Sequence, residues 1–145
     1  MIETKGLTKV FEIKKGADIT AVQDLTLSVP EGEVFGFLGP NGAGKTTTVR
    51  MLTSLIGPTS GQAWVNGFQV GVNDQNIRRS VGILTENPGL YERLSASMNL
   101  EIYANLYDVD DVTGQVEKYL QMLGLWSRRD DPAGSFSKGM RQKLA

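Results

Sequence analysis

The chain has 145 residues, 40% of them hydrophobic and 21% charged, with a net charge of −1, which fits about one ordinary globular domain. Acids and bases are interspersed, so no basic patch argues for nucleic acid, and the lack of cysteine excludes disulfides and thiolate metal sites. No apolar run nears the ~18 residues of a membrane span, and Met1 to Phe11 carries charges where a signal peptide is apolar, so a cytoplasmic protein is expected.

In chain order, Ile2 to Phe11 and Ala21 to Val29 read as strands, the second with Leu25, Leu27 and Val29 alternating on one face. The polar stretch Glu12 to Thr20 between them reads as a loop or hairpin tip, and Pro30-Glu31-Gly32 as a turn. Val34-Phe35-Gly36-Phe37-Leu38 predicts a short buried strand. A helix follows from Lys45 to Leu55, with Val49, Leu52, Leu55 and Ile56 inward, stopped by Gly57-Pro58-Thr59-Ser60-Gly61.

Between that strand and that helix stands Gly39-Pro40-Asn41-Gly42-Ala43-Gly44-Lys45-Thr46-Thr47, which fits G-x-x-x-x-G-K-[ST]. Its glycines let the backbone curl until successive N–H groups face one anion, and the helix N-terminus adds positive potential. Lys45 can reach β- and γ-phosphates and the Thr46 hydroxyl can ligate Mg²⁺. The stretch predicts binding of a nucleoside triphosphate.

Further on, Gln62 to Asn66 predicts a strand with Gly67 as a turn, Asn73 to Ser80 a short helix, and Val81-Gly82-Ile83-Leu84 a buried strand. After Glu86 the pattern turns helical. Ser95 caps Ala96 to Tyr107, with Leu100, Tyr103, Ala104 and Tyr107 on one face; these aromatics are expected in the core. Asp110 or Asp111 opens a second helix carrying Val112, Val116, Tyr119, Leu120 and Leu123 in register, Tyr119 likewise expected in the core, and ended by Gly124. Arg128-Arg129-Asp130-Asp131 reads as a solvated loop, and Ser137 caps a last helix through Arg141 and Leu144.

Phe136-Ser137-Lys138-Gly139-Met140-Arg141-Gln142 resembles the signature motif of the ATP-binding cassette (ABC) ATPases, usually L-S-G-G-Q, and Ser137 lies 92 residues after Lys45, as in that family. Ser137 and Gly139 match. Phe136, Lys138 and Met140 depart, in a form that looks like the ABC-2 type branch serving drug, sodium and polysaccharide exporters. The stretch Val81 to Glu86 resembles the strand into the family's Q-loop, with Glu86 where glutamine is usual, and a carboxylate is an equally hard Mg²⁺ ligand. Phe11 stands where the family stacks an aromatic on adenine.

The resemblance implies an α/β fold: a P-loop NTPase (RecA-like) core with an antiparallel β portion and a helical subdomain, truncated before the Walker B strand. It divides the chain into an incomplete nucleotide-binding core at 1–92, a helical subdomain at 93–135, and the signature motif with its helix at 136–145. The implied cofactors are ATP and Mg²⁺. Gly39, Asn41, Gly42, Ala43, Gly44, Lys45, Thr46 and Thr47 would hold the nucleotide with Phe11. Ser137 and Gly139 would act across a head-to-tail dimer on a second subunit's ATP. Lys45, Glu86 and Ser137 would be the catalytic groups, and Thr46 and Glu86 the metal ligands. The implied function is ATP-driven export, with a transmembrane permease as partner at the cytoplasmic face of the membrane and no nucleic acid. Two alternatives stay open: a soluble ABC ATPase acting on ribosomes or DNA, and a nucleotide-binding fragment without turnover. The second follows from what the chain lacks, since the family's Asp-Glu pair and switch histidine are absent from it. The expectation is an N-terminal part of a larger ATPase domain.

Overall fold

The computed structural model describes residues 1–85 and 89–145. They divide into two compact units, Met1–Ile83 and Leu84–Ala145, each with its own buried cluster. No helix among the described residues is long and apolar enough to cross a membrane.

The first unit is built on a four-stranded antiparallel sheet in the order β2-β1-β3-β4. Its strands are β1 (Ile2–Phe11), β2 (Ile19–Val29), β3 (Ser60–Val65) and β4 (Phe68–Gln69). Leu25, Leu27 and Val29 alternate inward along β2 while Thr26 and Ser28 face solvent. β1 pairs on both sides, Ile2 lying opposite Val29 and Val65. The register with β2 shifts between Thr4 and Leu7, and a shift of this kind strands backbone groups. The buried Thr4 hydroxyl meets them, donating to Leu25 O at 2.9 Å and accepting from Leu27 N at 3.0 Å. Gly61 is held against this bend: a Cβ there would lie 2.2 Å from Gly6 O. Asn66 and Gly67, both at positive φ, form the two-residue turn from β3 to β4.

Helix α1 (Lys45–Leu52) and helix α2 (Asp74–Ser80) cover the sheet. Met51 and Leu52 of α1 and Ile77 of α2 pack with Leu7, Val22, Ala63, Val65 and Val70.

Four expectations for this unit are corrected. Among the described residues Val34 to Leu38 pairs with no strand, and Leu38 is 94% exposed. An apolar run becomes a strand only where a ladder partner lies beside it, and its own residues do not supply one. The same holds for Val81 to Leu84, which is irregular, with Ile83 and Leu84 exposed. Helix α1 ends at Leu52, before Leu55, because Ser54 takes a left-handed φ of 55°. Ser54 N then donates to Met51 O and Leu55 N to Arg50 O, both at 2.9 Å, which closes a Schellman motif before the glycine at 57. Its buried face is Thr48, Met51 and Leu52, while Val49 and Leu55 are exposed. Val49 lines an apolar cavity of about 290 Å³ together with Phe35, Phe37 and Val81.

The second unit holds α3 (Ala96–Leu106), α4 (Val112–Met122) and α5 (Lys138–Leu144). Its core is Ala96, Val116, Leu120, Leu125, Ala133, Phe136 and Leu144. Each helix opens on a side-chain cap: Ser95 accepts from Met98 N, Asp111 from Gly114 N and Ser137 from Met140 N. Gly124, at φ 69°, ends α4 as expected. The aromatics are not core. Tyr103, Tyr107 and Tyr119 are exposed; the inward stripe of α3 is filled by Ala96 and the fully buried Asn99. The Asn99 amide replaces missing backbone partners, accepting from Tyr91 N at 2.8 Å and donating to Tyr91 O, Leu94 O and Ser95 O. The charged segment Arg128 to Asp131 is more ordered than a solvated loop: a 3-10 turn at Trp126–Arg128 leads into an Arg128–Asp131 ion pair at 2.7 Å.

Candidate functional site

Gly39 to Thr47 forms one continuous loop whose shape depends on its glycines. Gly42 and Gly44 lie at φ 85° and 82°, where a side chain is strained. At Gly44 there is also no space, since a Cβ would sit 2.3 Å from Ala21 O. With glycine as N-cap, no side chain caps α1, so the amides of Lys45, Thr46 and Thr47 keep their donor capacity for an outside acceptor. Thr48, the buried residue of this turn, ties back to Gly44 O through its amide at 2.8 Å and its hydroxyl at 3.0 Å.

Lys45 folds over the same loop. Its Nζ donates to Gly39 O and Pro40 O, both at 2.7 Å. An ammonium has three donors, and two are occupied by carbonyls that a charged phosphate oxygen outcompetes. Thr46 is exposed. Asn41, Gly42 and Ala43 form the exposed outer lip, held by Ala43 N donating to Pro40 O at 3.2 Å.

Strand β2 ties this loop to Phe11. Gly44 rests on Ala21, and Phe11 pairs with Ile19 two positions earlier, a spacing of roughly 7 Å along a strand. Phe11 is 41% exposed. It lines a cavity of about 530 Å³ with Lys9, Val10, Glu12, Asp18 and Thr59. Lys9 lies on one side of its ring, Nζ 5.3 Å from the centroid, while donating to Gly57 O at 2.8 Å. Positions i and i+2 of a strand share a face, which is the one sequence signal that places Lys9 beside Phe11.

Ser137 and Gly139 lie in the other unit. Ser137 Oγ accepts from Met140 N at 3.3 Å, and Phe136 beside it is buried. Gly139 is exposed, and a Cβ there would meet nothing within 4 Å. Glu86 lies outside the described residues. Arg128, which contacts both Phe136 and Met140, was also missed, and no local spacing signals it.

A family model described as ABC transporter matches residues 22–145. The chain belongs to the ABC transporter family. Among its relatives, the bacitracin transport ATP-binding protein BcrA of Bacillus licheniformis is 40% identical over 144 residues, 99% of this chain and 45% of that protein. The ABC transporter ATP-binding protein NatA of Bacillus subtilis (strain 168) is 36% identical over 148 residues, all of this chain and 60% of that protein. The chain thus spans about half the length of these relatives. A solved ATP-binding subunit of an ABC transporter superposes with a TM-score of 0.79 at 29% identity, covering 99% of this chain and 58% of that one. The fold is that of an ABC ATPase domain, a P-loop NTPase fold in which an antiparallel sheet and helices are combined.

Proposed function

We propose that the chain is the nucleotide-holding part of an ATP-driven exporter. The uncapped first turn of α1 behind the left-handed Gly44, with Lys45 already curled over the loop, carries this reading. On it, Lys45 exchanges the carbonyls of Gly39 and Pro40 for β- and γ-phosphate oxygens, and the amides of Lys45, Thr46 and Thr47 take the remaining oxygens. Phe11 offers its open face to adenine. No group of three or more acidic or histidine ligands exists among the described residues, which suits Mg²⁺, because that ion takes one or two protein oxygens and completes its shell with phosphates and water. Thr46 would supply one such oxygen and Glu86 a second. The bound ion would neutralise charge developing on the phosphates.

Within the same reading, residues 1–92 are the nucleotide core, 93–135 the helical subdomain and 136–145 the signature part. Ser137 and Gly139 face the nucleotide of a second subunit in a head-to-tail dimer, and a permease at the cytoplasmic face of a membrane receives the motion. The names of BcrA and NatA, both transport ATP-binding proteins, support this assignment over action on ribosomes or DNA.

For residues 1–145 by themselves we propose binding without turnover. They contain no histidine and no Asp-Glu pair, and loss of the group that positions attacking water costs on the order of 10²–10⁴ in rate. Titration with a fluorescent ATP analogue in Mg²⁺ tests the binding. Lys45→Ala is expected to lose roughly 1.5–3 kcal/mol, a charge-assisted contact; equal affinities in two folded proteins overturn the assignment. Phosphate release is expected at background, and release that Lys45→Ala abolishes would reveal catalytic groups within these residues.

A further inference from the structure

Arg128 touches both sides of the turn that presents Ser137. Its Nε donates to Asp131 Oδ2 at 2.7 Å. Its guanidinium carbon lies 5.2 Å from the centroid of the Phe136 ring, and its Nη1 donates to Met140 Sδ at 3.8 Å. Phe136 is the residue before Ser137, and Met140 is the residue whose amide Ser137 Oγ accepts. One planar cation therefore spans the segment 136–140 at both ends.

The anchor under Arg128 is firm. Asp131 N donates to Arg128 O at 3.1 Å, and Asp131 O accepts from Ala96 N at 3.1 Å. Arg129 O accepts from both Ser97 N, at 3.0 Å, and Ser97 Oγ, at 2.9 Å. The cation is thus fixed to the first turn of α3, which is 11 residues long.

Phe136 and Met140 are two of the three positions at which this segment departs from L-S-G-G-Q. Leucine would offer no π face and glutamine no polarisable sulfur, the two features that contact the guanidinium here. We infer that Arg128 is a positioning residue for Ser137: the clasp of Arg128 on Phe136 and Met140 sets the hydroxyl and the amides that follow it, and the two departures are its counterpart. The inference rests on the reading of residues 136–140 as a phosphate-facing segment. An isolated Arg128–Asp131 pair on the surface, its side chains 44% and 45% exposed, would contribute little and position nothing.

Amide hydrogen exchange followed by NMR on the whole chain, without nucleotide, distinguishes the two. Arg128→Ala is expected to speed exchange at Met140 and Arg141 about two- to fivefold, the worth of an exposed cation–π contact, and to leave Val116 and Leu120 in α4 unchanged. Phe136→Leu keeps an apolar side chain of smaller volume in the core, removes the π face and is expected to act in the same direction. Adding Arg128→Ala to it should bring less than Arg128→Ala brings alone, because the Phe136 contact is already gone and only those to Met140 and Asp131 remain to be lost. Unchanged exchange at Met140, a fully additive double variant, or equal acceleration throughout α4 would overturn the positioning role. Since no nucleotide is involved, the Lys45→Ala titration fails or succeeds separately. If exchange moves as stated while Ser137→Arg leaves ATP-induced dimerisation of the chain unchanged, the clasp stands and the phosphate-facing reading falls.

Discussion

The two units are held together by contacts of opposite reach. In Met1–Ile83 the stabilising pairs are distant in sequence: Ile2 meets Val65, Thr4 bonds to Leu25 and Leu27, and Gly61 is wedged against Gly6. In Leu84–Ala145 the order begins locally, with Ser95, Asp111 and Ser137 each capping the helix that follows and Gly124 closing α4. The two candidate site segments are divided in the same way. The loop at 39–47 depends on a distant strand, since Gly44 needs Ala21 beneath it, whereas the segment at 136–140 takes its shape from neighbours within about a dozen residues. A loop that depends on distant pairing is lost when any part of the sheet opens. A segment held by caps frays residue by residue.

The largest expected effects break each unit at its centre. Leu7→Ala and Leu120→Ala each remove a fully buried side chain and are expected to cost about 2–5 kcal/mol. Native-state hydrogen exchange should show Leu7→Ala lowering protection across β1, β2 and β3 with loss of ATP-analogue binding, and Leu120→Ala lowering it in α3 and α4. Equal loss of protection in both units from either variant would dissolve the contrast.

Next in size is Phe11→Ala, expected to weaken ATP binding by about 1–3 kcal/mol if the ring stacks on the base. Phe11→Tyr and Phe11→Trp should retain binding, and GTP should compete, because a stacking face reads no hydrogen bonds. A fall in melting temperature with unchanged affinity would mean that the ring serves β1 and not the ligand.

A smaller effect is expected from Ser95→Ala. It removes the side-chain acceptor of Met98 N and should destabilise the helical unit by about 1 kcal/mol. Urea unfolding monitored at amides of α3 checks the size, and an equal shift for sheet amides would contradict the local character of that unit.

The contrast in reach also decides what the sequence could disclose. Ser95, Gly124 and Ser137 act on residues three or four positions away, so their roles were readable from spacing alone, while for α4 spacing left Asp110 and Asp111 open and the structure shows Asp111. The loop at 39–47 was readable as a candidate phosphate site because glycine, lysine and threonine stand at the fixed offsets such a site requires. Val34 to Leu38 and Val81 to Leu84 were misread because an apolar run does not reveal its ladder partners. Tyr103, Tyr107 and Tyr119 were misread because helical spacing assigns a face and does not say how wide a stripe the core takes up. Asn99 was missed because a polar residue enters a core only where its amide can replace backbone partners, and no helical spacing marks the irregular turn from Tyr91 to Ser95 that supplies them. Arg128 was missed for a similar reason, since its partners at 136 and 140 meet it only after the chain has turned.

The smallest predicted effect has the opposite sign. Ser54 ends α1 in a left-handed conformation that glycine adopts freely and serine does not. Its hydroxyl is buried with no hydrogen-bond partner, which leaves a desolvated polar group uncompensated. Its carbonyl does have one, Arg78 Nη1 at 3.2 Å, and a glycine keeps that contact. Ser54→Gly should therefore stabilise the sheet unit, the gain being reduced by the freedom glycine adds to the unfolded chain. A net gain of about 0.5–1 kcal/mol is expected, read as a rise in the urea midpoint at unchanged slope. Ser54→Ala separates the two causes: it removes the hydroxyl and keeps the strained Cβ, so it should recover only part of the gain. Destabilisation by both variants would mean that the hydroxyl bonds within the unit after all, and that the end of α1 depends on this serine.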